Sequence, residues 1–317
     1  MKLDRYGEYI IRTLLVARGK KCEVWQLARN GGHFSDVLCA VEQLRKAGVV
    51  ETKHSVVTLK DTTPLPAYVL KKEKSLSTVV REYKRLRKHV RFANAAFDQL
   101  MITPEAIGHK LDVMNRRGDL LNRDILCIGD DDLFSVACAL TGLPKSITVV
   151  DVDTEILSFL TSVSSKLPVP IHTVELNLTT PLPERYHNAC DVFITEPPET
   201  TKATVLFVTQ GLSALREGGV FYLGMTEVTM NTQSRYHVEK ALLESGAVFT
   251  DIIHNNEEYE VEGNELTSVW SKTLPKWVDA IPRSPWFVST LFRGQLVEKK
   301  PLSLPTGLTD ADFSTEF

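Results

Sequence analysis

The strongest constraint on this chain begins at Asp124. From there, short runs rich in aliphatic and β-branched residues alternate with stretches of helical spacing. The strand-like runs lie at 125–128, 147–150, 171–174, 191–195, 220–224 and 247–253. Helical stretches fall between most of them, at 133–140, 154–165, 203–215 and 234–245. Parallel strands need a crossover, usually a helix. The alternation therefore predicts an open parallel sheet with helices on both faces. One more apolar run at 286–292, placed antiparallel, would bring the sheet to seven strands.

The segment before it reads differently. Ile10, Ile11, Leu14 and Leu15 have helical spacing, as do Val37, Leu38, Val41 and Leu44; two β-rich runs follow, at 48–50 and 55–59. Three helices and a hairpin predict a small winged-helix-like domain over 1–60. Its second helix of that pair carries Asp36 and Glu42, which would face phosphates badly. A packing or dimerisation role is therefore preferred to nucleic-acid binding, and a homodimer is expected. Residues 61–118 read as a linker, with Pro64 and Pro66, followed by helices. Arg81, Lys84, Arg85, Arg87, Lys88 and Arg91 make 76–91 a basic helix with a solvated face. Thr103-Pro104-Glu105 is a helix start: a cap, a residue suited to the first turn, and an acid at the positive end of the dipole. That helix should end near Arg117-Gly118. The sheet domain is set at 119–294, and 295–317, rich in Pro, Ser and Thr, reads as a flexible tail.

No apolar run approaches the roughly 18 residues needed to span a bilayer, and charges interrupt the apolar start, which argues against a signal peptide. The five cysteines form no C-x-x-C pair, and the eight histidines show no metal-ligand spacing. A reducing cytoplasm and no resident metal are expected. The formal net charge of −3 conceals an asymmetry: residues 1–100 carry 20 Lys and Arg against 10 Asp and Glu, and the rest of the chain carries 17 against 30.

In an open parallel sheet, ligands bind beyond the C-terminal strand ends. Gly129-Asp130-Asp131-Asp132 follows the first strand; Asp151, Asp153 and Glu155 follow the second; Glu175 and Asn177 follow the third; Glu196-Pro197-Pro198-Glu199 follows the fourth. These acids are separate in sequence and converge only through the fold. A dinucleotide-binding turn would read G-x-G-x-x-G; here the matching positions are Gly129, Asp131 and Phe134, and three carboxylates would repel a pyrophosphate. A class I methyltransferase-type sheet has the same Rossmann-like architecture and seats S-adenosylmethionine at this turn. Three aspartates would repel that cofactor's carboxylate but suit decarboxylated S-adenosylmethionine, whose aminopropyl arm is cationic. Like charges this close are costly as mere helix-start acids. Asp151 stands where an acid binds ribose hydroxyls in such folds, and reads equally as an ordinary turn acid. The proline pair holds a rigid, non-helical backbone that either presents carbonyls to an amine or simply stops the strand.

At these residues the chain resembles the branched-chain polyamine synthases, N4-bis(aminopropyl)spermidine synthases of thermophilic archaea and bacteria. The likeness starts at Phe97-Asp98-Gln99 and Thr103-Pro104. It sharpens at 117–120 and in Ile128-Gly129-Asp130-Asp131-Asp132-Leu133, and continues through 135–137, 140–143, 150–153, 181–183 and 191–198. The resemblance implies aminopropyl transfer from decarboxylated S-adenosylmethionine to spermidine, with release of methylthioadenosine. It implies an acidic catalytic centre of Asp130, Asp131 and Asp132, one of them the proton acceptor. Gly129, Asp151, Asp153 and Asn177 would face the co-substrate, and Gln99, Glu196, Pro197 and Glu199 the polyamine. Two departures stand out. The family's Asp-Pro-Pro-Tyr reads Glu196-Pro197-Pro198-Glu199, and Asn177 stands where the family usually has Asp. The longer side chain moves the carboxylate out by about 1.5 Å, and Glu199 replaces an aromatic surface with a charge.

Two other functions fit the residues alone: an N-methyltransferase using intact S-adenosylmethionine, and a non-catalytic polyamine-sensing regulator with a winged helix. The segment 255–265, with five glutamates, Tyr259 and no base, reads either as a lid that recruits a polycation or as a disordered acidic loop.

Overall fold

The computed structural model describes residues 3–61, 65–71, 73–88, 90, 97, 99–260, 275–278 and 286–313. The chain divides into two compact units, Met1–Glu73 with Met114–Leu121, and Lys74–Val113 with Asn122–Phe317.

In the first unit the helices α1 (Arg5–Val16), α2 (Val24–Gly31) and α3 (Phe34–Lys46) pack over a sheet of β1 (Lys21–Glu23), β2 (Val50–Lys53) and β3 (Val56–Leu59), in the order β1-β3-β2. The elements follow one another as helix, strand, two helices and a hairpin. The sequence reading had the hairpin but not β1, whose three residues are too short for a periodic signal. Ile10, Ile11, Leu14, Leu27, Val37, Val41 and Leu44 form the core with Val49, Val50, Val57 and Leu59. The supposed linker joins this core: residues Ala67–Leu70 form a 3₁₀ turn that buries Val69, and the Tyr68 hydroxyl donates to Glu8 at 2.9 Å.

The second unit holds α4 (Leu76–Arg87), most of α5 (Pro104–Arg116), and a seven-stranded sheet. Its strands are β4 (Asp124–Ile128), β5 (Ser146–Asp151), β6 (Ile171–Glu175), β7 (Cys190–Thr195), β8 (Leu215–Thr226), β9 (Ala247–Glu258) and β10 (Val288–Leu296). Helices α6 (Phe134–Thr141), α7 (Thr154–Ser164), α8 (Thr201–Ala214) and α9 (Thr232–Glu244) connect them. The order is β6-β5-β4-β7-β8-β10-β9, with β10 antiparallel to both neighbours. The chain leaves β4 towards β6 on one side and returns as β7 on the other, so the strand order reverses at β4. A crevice opens at the C-terminal end of such a strand. The all-apolar centre of β4, between β5 and β7, is what burial on both faces demands.

Three expectations are corrected in this unit. The basic helix stops at Arg87, and its face is not wholly solvated: Val79, Tyr83 and Arg87 are buried; Arg91 lies outside the described residues. The segment after Leu296 is not loose up to residue 313. Leu302, Leu304, Leu308 and Phe313 pack on the sheet core, and the Thr200 hydroxyl donates to the Asp312 carbonyl at 2.5 Å. Its Pro and Ser content hid four apolar residues whose irregular spacing gives no periodic signal. Residues 255–258 are not a loop but the end of β9; 261–265 lie outside the described residues. Among the described residues, no helix is long and apolar enough to cross a membrane.

Candidate active site

A cavity of about 260 Å³ opens at the reversal point, lined by Phe97, Gln99, Gly129, Asp130, Asp131, Val150, Asp151, Val152, Leu176, Asn177, Leu178, Glu196, Pro198, Phe207 and Phe313. The turn after β4 builds its floor. Gly129 has φ +71, a left-handed conformation that glycine adopts without strain. Leu133 takes φ 56 as well, and its complete burial offsets the cost of that conformation. Between these two bends the three aspartates point different ways.

Asp130 turns back on the helix. It accepts the Ser135 amide at 3.0 Å and the Ser135 hydroxyl, satisfying two polar groups at the start of α6. Asp131 stays on the cavity wall. Its Oδ2 accepts the Leu100 amide at 3.0 Å, and its other oxygen takes no hydrogen bond from the described residues. Asp132 points away from the cavity: Oδ1 accepts the Phe134 amide at 2.9 Å, and Oδ2 faces Lys110 at 3.9 Å. The Tyr83 hydroxyl fixes the Asp132 carbonyl at 2.5 Å. Burial, then the charges of Asp132, Glu196 and Asp151, push the Asp131 carboxyl well above its ordinary range. Burial and Asp132 do the same to Asp130 against the Ser135 bonds.

Asp151 ends β5 with both oxygens on backbone amides, Asp130 at 3.0 Å and Asp153 at 2.9 Å, and its remaining lone pairs face the cavity. Asp153 is not on the wall. It caps α7 through the Glu155 amide at 2.8 Å and accepts the Gln99 side chain at 2.9 Å, so it orients a wall residue. Asn177 is at the cavity mouth, its side-chain oxygen accepting the Thr179 amide at 3.0 Å and hydroxyl at 2.9 Å. Of the four residues after β7, Glu196 and Pro198 line the cavity. Pro197 is buried behind them, and Glu199 spends its carboxylate on the Thr226 amide and hydroxyl.

The structure also brings in residues that the sequence reading did not select. Lys110, on α5, is 1% exposed; it meets Glu196 and lies 2.6 Å from Glu257 on β9. Between the pairs Leu291 with Ile253 and Ser289 with Glu257, β9 has two residues more than β10, and Asn255 takes φ 53. This bulge turns Glu257 inward, where the Ser289 hydroxyl donates to it at 2.6 Å. Tyr259 donates to the other oxygen of Glu196 at 2.7 Å. Gly224 on β8 leaves room for the cluster: a Cβ there would come within 2.7 Å of Glu196 Cγ and 2.8 Å of Glu257 Oε2. No period in the sequence marks Lys110, since a buried lysine on an amphipathic helix looks like a solvated one. Glu257 and Tyr259 belong to the acidic segment 255–265, which the sequence leaves open between a lid and a disordered loop.

Burial disfavours the Lys110 ammonium, but Glu196, Glu257 and Asp132 outweigh it and hold the amine well above its usual pKa. Burial drives Glu257 up from 4.5 to about 7, with Glu196 pushing the same way and Lys110 opposing. Asp132 rises from 3.8 to about 6, again by burial, with Lys110 opposing. A carboxyl whose pKa is higher folded than unfolded contributes stability that is complete below the unfolded value and lost as pH rises through the folded one. Glu257 therefore stabilises the fold less as pH goes from 4.5 towards 7. Glu257→Gln should flatten the dependence of Tm on pH over that window. Superimposable wild-type and variant curves in calorimetric melting would count against the shift.

Among the described residues, no group of three His, Cys, Asp or Glu side chains is placed to hold a metal ion. The sequence family described as Branched-chain polyamine synthase A C-terminal domain matches residues 78–310. The chain is 37% identical over 224 residues to N(4)-bis(aminopropyl)spermidine synthase of Methanocaldococcus jannaschii, covering 69% of this chain and 63% of the relative. It is 35% identical over 228 residues to the Thermococcus kodakarensis protein of that name, covering 71% and 64%. It thus spans less than two thirds of the length of these relatives. The crystal structure of the Thermus thermophilus branched-chain polyamine synthase, in complex with N4-aminopropylspermidine and 5'-methylthioadenosine, is similar with a TM-score of 0.67 at 27% identity, covering 99% of this chain and 93% of that one. With the match over most of its length, and with the acidic turn after β4 at the centre of the cavity, the chain belongs to the branched-chain polyamine synthase A family.

Proposed function

We propose that this chain transfers an aminopropyl group from decarboxylated S-adenosylmethionine to an amine nitrogen of a polyamine such as spermidine, releasing methylthioadenosine. The observation that carries this reading is the cavity wall. Asp130, Asp131, Asp151 and Glu196 line it, and no Lys or Arg is among the lining residues described. Such a wall attracts a polycation and repels the carboxylate of intact S-adenosylmethionine. The relatives' names, and the N4-aminopropylspermidine and 5'-methylthioadenosine bound in the Thermus structure, support the same chemistry. The amine lone pair attacks the methylene carbon next to sulfur. The carbon–sulfur bond breaks, its electron pair stays on sulfur as a neutral thioether, and the nitrogen loses a proton to a carboxylate. An alkylamine resembles Lys, with a pKa of about 10.4, so its neutral form near pH 7 costs roughly 4.6 kcal/mol. Asp131 is the acceptor in this reading, because one of its oxygens on the wall takes no hydrogen bond from the described residues.

The apolar side chains of Val152, Leu176, Leu178, Phe207 and Phe313 suit the adenine, and Asp151 suits the ribose hydroxyls. Asp151→Ala should raise the dissociation constant of methylthioadenosine by about 10- to 100-fold, the value of charge-assisted hydrogen bonds. Calorimetry showing unaltered affinity would remove it from the nucleoside site. A homodimer in the cytoplasm, without a membrane or nucleic-acid partner, belongs to the same reading, and sedimentation velocity tests the dimer. The decisive experiment is mass spectrometry of products after incubation with decarboxylated S-adenosylmethionine and a panel of polyamines. An aminopropylated product is expected. Methylated amines formed from intact S-adenosylmethionine instead, or binding without turnover, would overturn the proposal.

A further inference from the structure

Lys110 has a setting that an amine ligand would seek. Its ammonium touches Glu196, lies 2.6 Å from Glu257 Oε1 and 3.9 Å from Asp132 Oδ2, and sits 5.3 Å from the centre of the Phe134 ring. The groups facing this trio are Tyr259 on Glu196, Ser289 on Glu257, Tyr83 on the Asp132 carbonyl, and the Cys127 thiol of β4. Asp132 is only 6% exposed, and its Oδ2 has no hydrogen-bond partner among the described residues. Glu196 belongs to both places: one face lines the cavity, and one oxygen binds Lys110.

We propose that Lys110 is a built-in counter-cation: its ammonium fills an inner amine subsite of the acid cluster, holds Glu196 on the cavity wall, and limits how many ammonium groups a ligand can place there. Lys110 is thus a positioning residue that sets specificity for the charge of the polyamine. This rests on the cavity's taking a polycation, as proposed above. The carboxylates of the trio come from β9 and from the ends of β4 and β7, so no local rule of helix or strand gathers them. Their shared contact is the one side chain.

Lys110→Ala removes three carbons and the ammonium, the equivalent of n-propylammonium. Breaking a buried ion cluster is strongly destabilising, and the Tm should fall by roughly 10 °C. Added n-propylammonium chloride should raise the Tm of this variant saturably, by linkage, and leave the wild type unchanged. Tetramethylammonium, a cation with no N–H donor, and uncharged n-propanol should not. Lys110→Met, which keeps the stem without the charge, should melt low and gain nothing from n-propylammonium. In calorimetry without co-substrate, Lys110→Ala should favour spermine over spermidine at least about 10-fold more than the wild type does, as one extra buried ion contact implies. An unaltered Tm of Lys110→Ala in n-propylammonium, or equal rescue by tetramethylammonium, overturns the proposal. If the variant folds only when refolded with n-propylammonium, the proposal stands. If it fails to fold with the amine as well, the proposal falls, since a filled subsite should restore the fold. These readouts need no turnover, so a wild type that transfers no aminopropyl group would sink the functional reading and leave the Lys110 result standing.

Discussion

Asp131→Asn should lower kcat for aminopropyl transfer by about 10²- to 10⁴-fold, the range for loss of a positioned general base. The fold should survive, because the substitution relieves repulsion. Asp131 is pushed up by burial and by Asp132, Glu196 and Asp151, so a neutral amide of the same shape removes a strained charge. Its bond from the Leu100 amide can be kept by the amide oxygen. The expected result is therefore a split: activity lost, Tm equal to or above that of the wild type, as where function is held against stability. The corresponding Asp130→Asn change should behave differently, since that carboxylate holds the Ser135 amide and hydroxyl at the start of α6. It should lower Tm along with activity. Wild-type turnover in Asp131→Asn would show that the proton goes elsewhere.

This division of labour among three adjacent aspartates lies beyond what the sequence shows. The sequence places Gly129-Asp130-Asp131-Asp132 at the end of the first sheet strand, and the structure has it there, because the apolar run 125–128 has one way to sit in a parallel sheet. The directions of the three side chains depend on two left-handed residues, Gly129 and Leu133. A glycine announces such a bend and a leucine does not. Glu199 is a similar case. As a charge beside a proline pair it reads as a ligand for an amine, yet Thr226 of β8, far off in sequence, takes both its oxygens. Lys110 and Glu257 were illegible for a third reason. A buried charge is recognisable only from its partner, and the partners are 86 and 147 residues from Lys110 along the chain. The alternation of strands and helices was legible because it is local, and the antiparallel seventh strand because an apolar run remained after six were placed.

Arg87→Met should cut kcat/KM by about 100-fold although the side chain touches no cavity residue of the acid wall, the scale on which a misplacement near 1 Å acts. Arg87 is 8% exposed, donates to the Ile102 carbonyl at 2.9 Å and pairs with Glu260. Those two contacts clasp a short antiparallel ribbon in which Ile102 bridges Tyr259, the Thr103 amide donates to the Glu258 carbonyl at 2.7 Å, and the Glu260 amide donates to the Met101 carbonyl at 2.8 Å. The ribbon carries the Leu100 amide onto Asp131, Gln99 onto Asp153 and Tyr259 onto Glu196. Loosening it therefore disturbs Asp131, the wall and the acid cluster together, while Asp151 keeps its bonds to the Asp130 and Asp153 amides. Methylthioadenosine affinity should stay within about threefold of the wild type, a difference of roughly 0.7 kcal/mol. Arg87→Lys, which can restore one of the two contacts, should recover part of the lost kcat/KM. A merely structural arginine would lower Tm in both variants without this graded kinetic return, and wild-type kcat/KM in Arg87→Met would show that the ribbon holds its place without the clasp.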